Sequence, residues 1–246
     1  MAAEVADALD HAHRAVHDEG RALHLVHRAV GPMSIRLGHN GRVQLTNLGA
    51  AWSELMGRIR TPPQMLRGDP AYTAPEILRG FEKPEAGQRD PLTPLALDGR
   101  ADIFSLGLVL LEMLWLDIEQ RFPPEVRGER PSSLLSLETL ANRLLHFGPE
   151  EVQQAARELP EPLRRIVTRA LRPEPAERHP TAGQLRDELR DFLQATGQPP
   201  YGAKQAKAEV KQLFAQVPDP AELPAYSIVE MGVLPMPPDM NLENED

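Results

Sequence analysis

Two of the histidines near the start of this 246-residue chain have a spacing that suits metal coordination. Six of the eight histidines lie within the first 40 residues. His13 and His17 are four residues apart, a spacing that brings two imidazoles to one face of a helix, where they can share a metal ion. However, no third ligand is evident, and no glutamate lies between them to act as a base. We therefore expect both to be surface residues of a helix, and we predict no metal site.

Four short fragments follow one another in an informative order. They are Val26-His27-Arg28-Ala29-Val30-Gly31-Pro32-Met33-Ser34, then Leu45-Thr46-Asn47-Leu48-Gly49, then Gly68-Asp69-Pro70-Ala71-Tyr72-Thr73-Ala74-Pro75-Glu76, then Asp98-Gly99-Arg100-Ala101-Asp102-Ile103-Phe104-Ser105-Leu106-Gly107. This ordered set resembles the C-terminal lobe of a bacterial-type Ser/Thr protein kinase. The first three fragments resemble the catalytic loop H-R-D-x-x-x-x-N, the D-F-G turn and the A-P-E end of the activation segment. The fourth resembles the family's central helix, and the resemblance covers about residues 2–195.

The resemblance implies that the chemical positions of a kinase are degenerate in this chain. The family uses an aspartate to accept the substrate hydroxyl proton, and Ala29 occupies that position. Ser34 replaces the asparagine that binds the second magnesium, and Asn47 replaces the D-F-G aspartate. A missing general base alone costs roughly 10²- to 10⁴-fold in rate. We therefore predict a pseudokinase, with no catalytic residue intact.

The expected nucleotide pocket is also incomplete. Arg36 stands where the family places an apolar residue under adenine. No G-x-G pattern occurs, and residues 1–82 contain no lysine to bind phosphates. Only 26 residues precede His27, and they resemble the first helix of the lower lobe, so an upper lobe is not expected within this chain. We predict no nucleotide binding and no cofactor.

The structural positions of the family are retained. They are His27, Arg28, Gly49, Ala74, Pro75, Glu76, Asp102, Gly107 and Arg178. In the family the equivalent of Asp102 binds the backbone of the catalytic loop. The arginine of the last loop pairs with the A-P-E glutamate, which predicts a pair between Arg178 and Glu76. Arg28 could receive a phosphorylated residue of the activation segment, for which Thr61 and Thr73 are the candidates; the alternative is that Arg28 only packs.

The elements that position these residues can be predicted from apolar spacing and turn residues. Apolar residues at helical spacing predict a helix over residues 2–19, which Gly20 can end. Asn40-Gly41 between two apolar runs predicts a hairpin of residues 33–37 and 42–45. Residues 46–75 read as a long loop.

The second half of the chain is predicted to be mostly helical. Residues 101–115 are apolar on nearly every side, which is typical of a central buried helix. Proline and glycine separate the other predicted helices, which are residues 132–146, 149–158, 161–171, 180–195 and 203–216. Thr181 is the expected cap of the fourth of these.

Composition excludes several classes of protein. The chain has no cysteine, which excludes disulfides, thiolate metal sites and a cysteine nucleophile. The longest uncharged apolar run, residues 103–111, is too short to span a bilayer, and charges interrupt any signal-peptide pattern. From these observations we expect a cytoplasmic protein that binds no membrane. The net charge is −9, without a basic patch typical of nucleic-acid binding, so we expect no nucleic-acid partner.

We expect a mainly α fold: a protein-kinase-like C-lobe with a small hairpin over residues 1–196, then a short lysine-bearing helix and a Pro-rich acidic tail over 197–246. The expected function is a catalytically inactive scaffold or regulator of a signalling protein, such as an active kinase. The expected docking sites are the surface around residues 29–47, here called the upper-lobe face, the activation segment and the tail. The tail could instead fold back on the three lysines of the last helix. The alternatives are a nucleotide-dependent transferase completed by an upper lobe from another chain, and a fragment of a larger kinase-like protein.

Overall fold

The computed structural model describes residues 1–53, 68–79, 97–116, 148–197 and 201–216. Within these ranges the predicted fold class is confirmed, because the chain is mainly helical with one two-stranded antiparallel sheet. The helices are α1 (Ala2–His13), α2 (Pro75–Arg79), α3 (Arg100–Leu116), α4 (Pro149–Ala156), α5 (Glu161–Ala170), α6 (Ala182–Ala195) and α7 (Ala203–Gln216). The strands are β1 (Ile35–Leu37) and β2 (Val43–Leu45). The helix predicted at 132–146 and the acidic segment 217–246 lie outside the described residues, and the domain division at residue 196 stays a prediction.

Helix α1 is shorter than its apolar spacing predicts. It ends at His13 instead of continuing to residue 19. Val16 forms an isolated antiparallel bridge with Ala22, and the chain reverses between them with Gly20 at a φ of 78°. Val16 extends the helical apolar pattern in the sequence, but it is 59% exposed and so belongs to no buried helix face.

The hairpin lies close to its predicted position. Ile35 pairs with Leu45, and Leu37 pairs with Val43. β1 begins two residues later than predicted, because Pro32–Ser34 forms a turn of 3-10 helix instead of extended chain. Ile35, Val43 and Leu45 pack against the hydrophobic core, so one face of the hairpin is held by the helices.

Helix α3 forms the centre of the core. Ile103 and Leu106 are fully buried on it, as the uniform apolar character of this helix predicts. Gly107 allows α5 to approach closely, because a Cβ at this position would lie 3.0 Å from both the Cβ of Ala170 and the Cδ2 of Leu171. The central helix is therefore held tightly against the helix that precedes the last loop.

The first and sixth helices are joined by polar contacts as well as by packing. Asp10 on α1 accepts a hydrogen bond from the backbone N–H of Gly183 at 3.1 Å. Arg186 on α6 donates to Asp7 at 2.7 Å. Helix α6 begins after Thr181, whose hydroxyl accepts the N–H of Gln184 at 3.1 Å, the cap expected from the sequence.

The last described helix, α7, rests on the turn of the hairpin. A Cβ at Gly41 would lie 2.0 Å from the carbonyl oxygen of Ala203 and 2.7 Å from the amide nitrogen of Lys207. Further along the helix, the ring of Phe214 lies 4.9 Å from the ring of His39, measured between centroids. The turn therefore has room only for glycine where α7 crosses it. None of the helices in the described ranges is long and apolar enough to cross a membrane.

Candidate functional site

The buried carboxylate of Asp102 organises the loop that carries the first motif. One of its oxygens accepts the backbone N–H of His27 at 2.7 Å, and the other accepts that of Arg28 at 2.8 Å. The ring of His13 lies 2.9 Å from the same oxygen that His27 contacts. Arg28 has a positive φ of 63°, a conformation that is costly for a non-glycine residue. The two bonds to Asp102 hold the loop in this strained shape.

His27 connects the catalytic-loop position to the D-F-G position. Its Nε2 donates to the carbonyl of Thr46 at 2.8 Å, and its Nδ1 accepts the backbone N–H of Ala29 at 3.3 Å. This geometry requires the tautomer with its proton on Nε2. Since the side chain is fully buried, it is a structural histidine that fixes Ala29 and Thr46 relative to each other.

The first of the three positions that the resemblance marks as degenerate, Ala29, is closely covered by the activation segment. Ala29 is buried, and Gly68, with a φ of 83°, packs directly against it. A Cβ built at Gly68 would lie 2.8 Å from the Cα of Ala29 and 3.0 Å from its Cβ. A methyl group cannot accept a proton, and the chain leaves little free space beside it.

The second degenerate position, Ser34, uses its hydroxyl to close its own loop. The hydroxyl donates to the carbonyl of Gly31 at 2.9 Å and accepts the N–H of the same residue at 3.0 Å. The carbonyl of Ser34 in turn accepts the N–H and the hydroxyl of Thr46, at 2.8 and 3.0 Å. Ser34 is 2% exposed. Its hydroxyl is therefore committed to the backbone and is poorly placed to bind a metal ion.

The third degenerate position, Asn47, has the left-handed conformation, with φ 68° and ψ 35°. Asparagine tolerates this conformation better than most residues. The residue is exposed, and it follows Thr46, which His27 and Ser34 both hold. Asn47 can offer a neutral amide oxygen, whereas magnesium sites are built on carboxylates.

The structure brings the three degenerate positions together around one hydrogen-bonded junction. Ala29 and Asn47 are joined through the ring of His27 and the carbonyl of Thr46, and Ser34 bonds to Thr46 from the opposite side. Arg36, which the resemblance places under adenine, is exposed on β1 opposite Gln44. Ala29, Ser34 and Asn47 bring no carboxylate to this junction.

The pair of Arg178 and Glu76, implied by the resemblance, is present. The two terminal nitrogens of Arg178 donate to the two oxygens of Glu76, both at 2.7 Å. The guanidinium also donates to the backbone carbonyls of Arg172, Arg100 and Pro173. It lies 4.8 Å from the centre of the Phe104 ring. This fully buried arginine connects the last loop, α2 and the start of α3.

Arg28 and Thr73, which the sequence names as candidates for phosphoregulation, both donate hydrogen bonds to the backbone, and their regulation stays a prediction. Arg28 donates from its Nε to the carbonyl of Ala50 at 2.9 Å, so its side chain is engaged with the segment that follows Asn47. Thr73 is 8% exposed, and its hydroxyl donates to the carbonyl of Asp69 at 3.1 Å. A modifying enzyme would have to open this segment to reach it. Thr61 lies outside the described residues.

The prediction that His13 and His17 are both surface residues of one helix is wrong. His17 lies beyond the end of α1, so the two residues share no helix face. His13 is not a surface residue either: its side chain is 14% exposed and contacts Asp102. A Cβ at Gly99 would lie 2.4 Å from its ring. Among the described residues, no group of three or more histidine or acidic side chains could hold a metal ion.

Sequence reasoning did not assign two residues, His13 and Gly68, to this site. His13 lies four residues after the buried Leu9 on α1, a spacing that places it on the inward face and could have identified it. Gly68 gave no such signal, since its contact with Ala29 depends on how the activation segment folds back.

The central helix, the hairpin and the frame around Asp102 define a protein-kinase-like domain with the architecture expected of a C-terminal lobe. In sequence, the chain is 30% identical over 204 residues to the tyrosine-protein kinase MasK of Myxococcus xanthus, a match that covers 81% of this chain and 27% of that protein. It is 29% identical over 199 residues to the serine/threonine-protein kinase PknD of Chlamydia abortus, covering 74% of this chain and 18% of that protein.

A third relative is the serine/threonine-protein kinase PknK of Mycobacterium tuberculosis, 28% identical over 195 residues, which cover 79% of this chain and 14% of that protein. No family model matches the chain. The resemblance to bacterial protein kinases is confirmed by these relatives. The chain spans about a quarter or less of the length of each of them.

Proposed function

We propose that this chain is a catalytically inactive protein-kinase-like module that acts in signalling by binding another protein. The observation that carries this proposal is the state of the three chemical positions. Ala29 is packed under Gly68, the hydroxyl of Ser34 is bonded twice to Gly31, and Asn47 offers no charge. Phosphoryl transfer depends on positioning and on compensation of charge. The frame for positioning remains, whereas the groups for charge and for proton transfer are absent from these positions.

The upper-lobe face has the apolar exposure expected of a docking surface. Met33 is 86% exposed and Leu37 is 43% exposed, and Leu48, which directly follows residues 29–47, is 51% exposed. Met33 and Leu48 lie close to the junction at which Ser34 bonds to Thr46. Large exposed apolar side chains that occur close together are a feature of interaction sites. We propose that the partner is a signalling protein, with a bacterial protein kinase domain as the first candidate, and that it covers these side chains.

Thermal unfolding with nucleotide tests the loss of ATP binding, on which phosphoryl transfer depends. The purified chain is titrated with ATP up to the millimolar range, with magnesium or manganese and without a metal. A ligand that binds only the folded state stabilises it by about 2.7 kcal/mol at 100 times its dissociation constant. We expect a cooperative transition that nucleotide does not move, while an active kinase in the same buffers shows the shift. A metal-dependent shift of this chain would contradict the proposal.

A matched pair of surface variants tests binding through the upper-lobe face. Leu48→Asp places a charge at the edge of this face, and Leu193→Asp places one on α6, where Leu193 is 56% exposed. We expect Leu48→Asp alone to reduce binding to an immobilised bacterial kinase domain by at least about tenfold, or about 1.4 kcal/mol. Equal effects of the two variants, or no binding by the unmodified chain, would contradict the proposed docking surface. Either result would leave the proposed catalytic inactivity unaffected, because the experiment measures only binding.

The second candidate function is a transferase completed by an upper lobe from another chain. The exposed amide of Asn47, in a left-handed conformation at the D-F-G position, is the feature that favours it. This candidate needs a metal held without the hydroxyl of Ser34 and a base other than Ala29. Metal-dependent ATP binding in the thermal titration would make it the preferred function.

A further inference from the structure

An open groove between α4 and α5 carries a concentration of arginines. Its volume is about 370 Å³. The residues that line it are Gln153, Arg157, Glu161, Arg164, Arg165 and Thr168. Three guanidinium groups thus face one carboxylate. This is a local excess of positive charge on a body that is slightly acidic, since residues 1–216 carry a net charge near −2.

The charges of these arginines are weakly compensated by the described part of the chain. Arg157 lies 3.7 Å from Glu158, and its side chain is 62% exposed. Within the described ranges, no carboxylate lies within ion-pair distance of Arg164 or Arg165. Arg164 donates to the backbone carbonyl of Arg157 at 3.0 Å, which fixes it between the two helices. The groove therefore presents a partly ordered set of forked donors, which suits carboxylates.

The chain itself contains a segment of opposite charge. Residues 217–246 hold seven acidic residues and no basic residue. Fully extended, 30 residues span roughly 100 Å, whereas a compact domain of about 200 residues has a radius of gyration below about 20 Å. The segment is thus long enough to reach the groove from the end of α7. A tethered segment experiences an effective concentration of about millimolar, so weak carboxylate–arginine contacts are sufficient.

We propose that the acidic C-terminal segment, residues 217–246, docks in the arginine groove between α4 and α5. The alternative basic surface is the set of Lys204, Lys207 and Lys211 on α7, all exposed. The groove suits the segment better because it is concave and because an arginine fork can bind a carboxylate with two parallel bonds. This inference concerns a different surface from the upper-lobe face and does not rest on the proposed function.

The absence of cysteine in the chain allows a direct test. The substitution Asn241→Cys places one nitroxide label on the acidic segment without changing its charge, in the full-length, isotope-labelled protein. We expect paramagnetic broadening of the backbone amides of Gln153 and Thr168 in low salt. Raising the salt from about 0.01 M to about 1 M, which shortens the screening length from ~30 to ~3 Å, is expected to remove it.

Two charge reversals identify the docking surface. Arg165→Glu in the groove is expected to abolish the broadening, whereas Lys207→Glu on α7 is expected to leave it unchanged. Arg165 is exposed, so its variant is expected to melt like the unmodified chain. Broadening confined to α7, broadening that survives Arg165→Glu, or no broadening would each overturn the proposal. Broadening that arises only between a nitroxide-bearing copy and a separate isotope-labelled copy would also overturn it, because that result requires a second molecule.

Discussion

The guanidinium of Arg178 is a buried cation whose donors are all directed at specific acceptors. It makes five hydrogen bonds, two to Glu76 and three to backbone carbonyls. Removing one partner of a buried ion pair leaves the other charge uncompensated, at a cost of about 3–5 kcal/mol. We therefore predict that Arg178→Ala lowers the free energy of unfolding by about this amount, as measured by urea denaturation.

The control for this prediction is Arg190→Ala. Arg190 is 48% exposed and lies 3.8 Å from Asp7, so it belongs to the class of surface pairs that contribute little. We expect its removal to change the free energy of unfolding by less than about 1 kcal/mol. If the two variants were equally stable, the buried pair of Arg178 and Glu76 would not be a main stabilising connection of the fold.

His179 makes the stability depend on pH. Burial lowers the pKa of its imidazole below the usual 6.5, the charge of Glu188 on α6 partly opposes this shift, and Arg169 on α5 adds to it. The folded state therefore favours the neutral ring. Below about pH 6.5 the unfolded chain takes up a proton that the folded chain does not, so stability is complete above this pH and decreases as the pH falls.

We predict that the free energy of unfolding of His179→Gln decreases less steeply with falling pH than that of the unmodified chain. One proton difference corresponds to a slope of at most about 1.4 kcal/mol per pH unit. Urea denaturation at intervals from pH 7 to pH 5 measures this slope for both proteins. Parallel curves would show that His179 does not contribute to the pH dependence.

Single residues also show which features of the site can be predicted from the sequence alone. Ala29, Ser34 and Asn47 are assigned by motif alone, from the order of the four fragments, and their roles stay predictions. The closed hydrogen-bond ring of Ser34 and Gly31 could not be predicted, since it depends on the 3-10 turn at Pro32–Ser34. The contact between Ala29 and Gly68 depends on tertiary structure in the same way.

Among the elements, the docking of α7 on the hairpin turn leads to the clearest test. Gly41 and Gly20 have nearly the same φ, 76° and 78°, but only Gly41 lies against another backbone. Both Gly→Ala variants carry the cost of the left-handed conformation, about 1–2 kcal/mol. Gly41→Ala adds a clash with Ala203 and Lys207. We predict that Gly41→Ala alone displaces α7.

Hydrogen exchange of the α7 amides measures this displacement. A helix of about 14 residues is marginal in water on its own, so α7 is expected to lose most of its protection once it leaves the hairpin. Gly20→Ala is expected to leave the protection of α7 unchanged. Similar exchange in the two variants would mean that the hairpin turn does not hold the helix.

Elements with uniform apolar character or strong end signals are predicted well from the sequence. The central helix, expected at 101–115, occurs at Arg100–Leu116, and the helix after Thr181 begins where its cap predicts. The end of α1 is not predicted, because a bridge between Val16 and Ala22 replaces the last turns. The short helix α2 falls at the edge of the predicted loop, and the pair between Glu76 and Arg178 holds it from a distance of 102 residues.

At the scale of the whole molecule, Asp102 joins three separate parts of the chain. It contacts His13 on α1 and the loop at His27 and Arg28, from its own position on α3. Asp102→Asn replaces one accepting oxygen with an amide NH2 group, which would then face a backbone N–H donor of the loop. A buried donor without a partner costs about 1–3 kcal/mol. We predict a single cooperative transition, with a melting temperature lowered by roughly 2–12 °C.

Glu112→Gln is the matched control for Asp102→Asn. Glu112 is exposed and accepts the hydroxyl of Tyr72, and a glutamine oxygen can still accept it. We expect its melting temperature to stay within roughly 2 °C of the unmodified chain. A similarly small change in Asp102→Asn would contradict the role of Asp102 as a central connection.

The contacts between α1 and α6 have a consequence for how the protein is made. The bond from Gly183 to Asp10 spans 173 residues. At a synthesis rate of about 5–20 residues per second, α6 leaves the ribosome roughly 10–35 s after α1. Until then the apolar side chains of α1, such as Leu9, are without this packing surface. The nascent chain therefore passes through a period in which chaperones have access to its first helix.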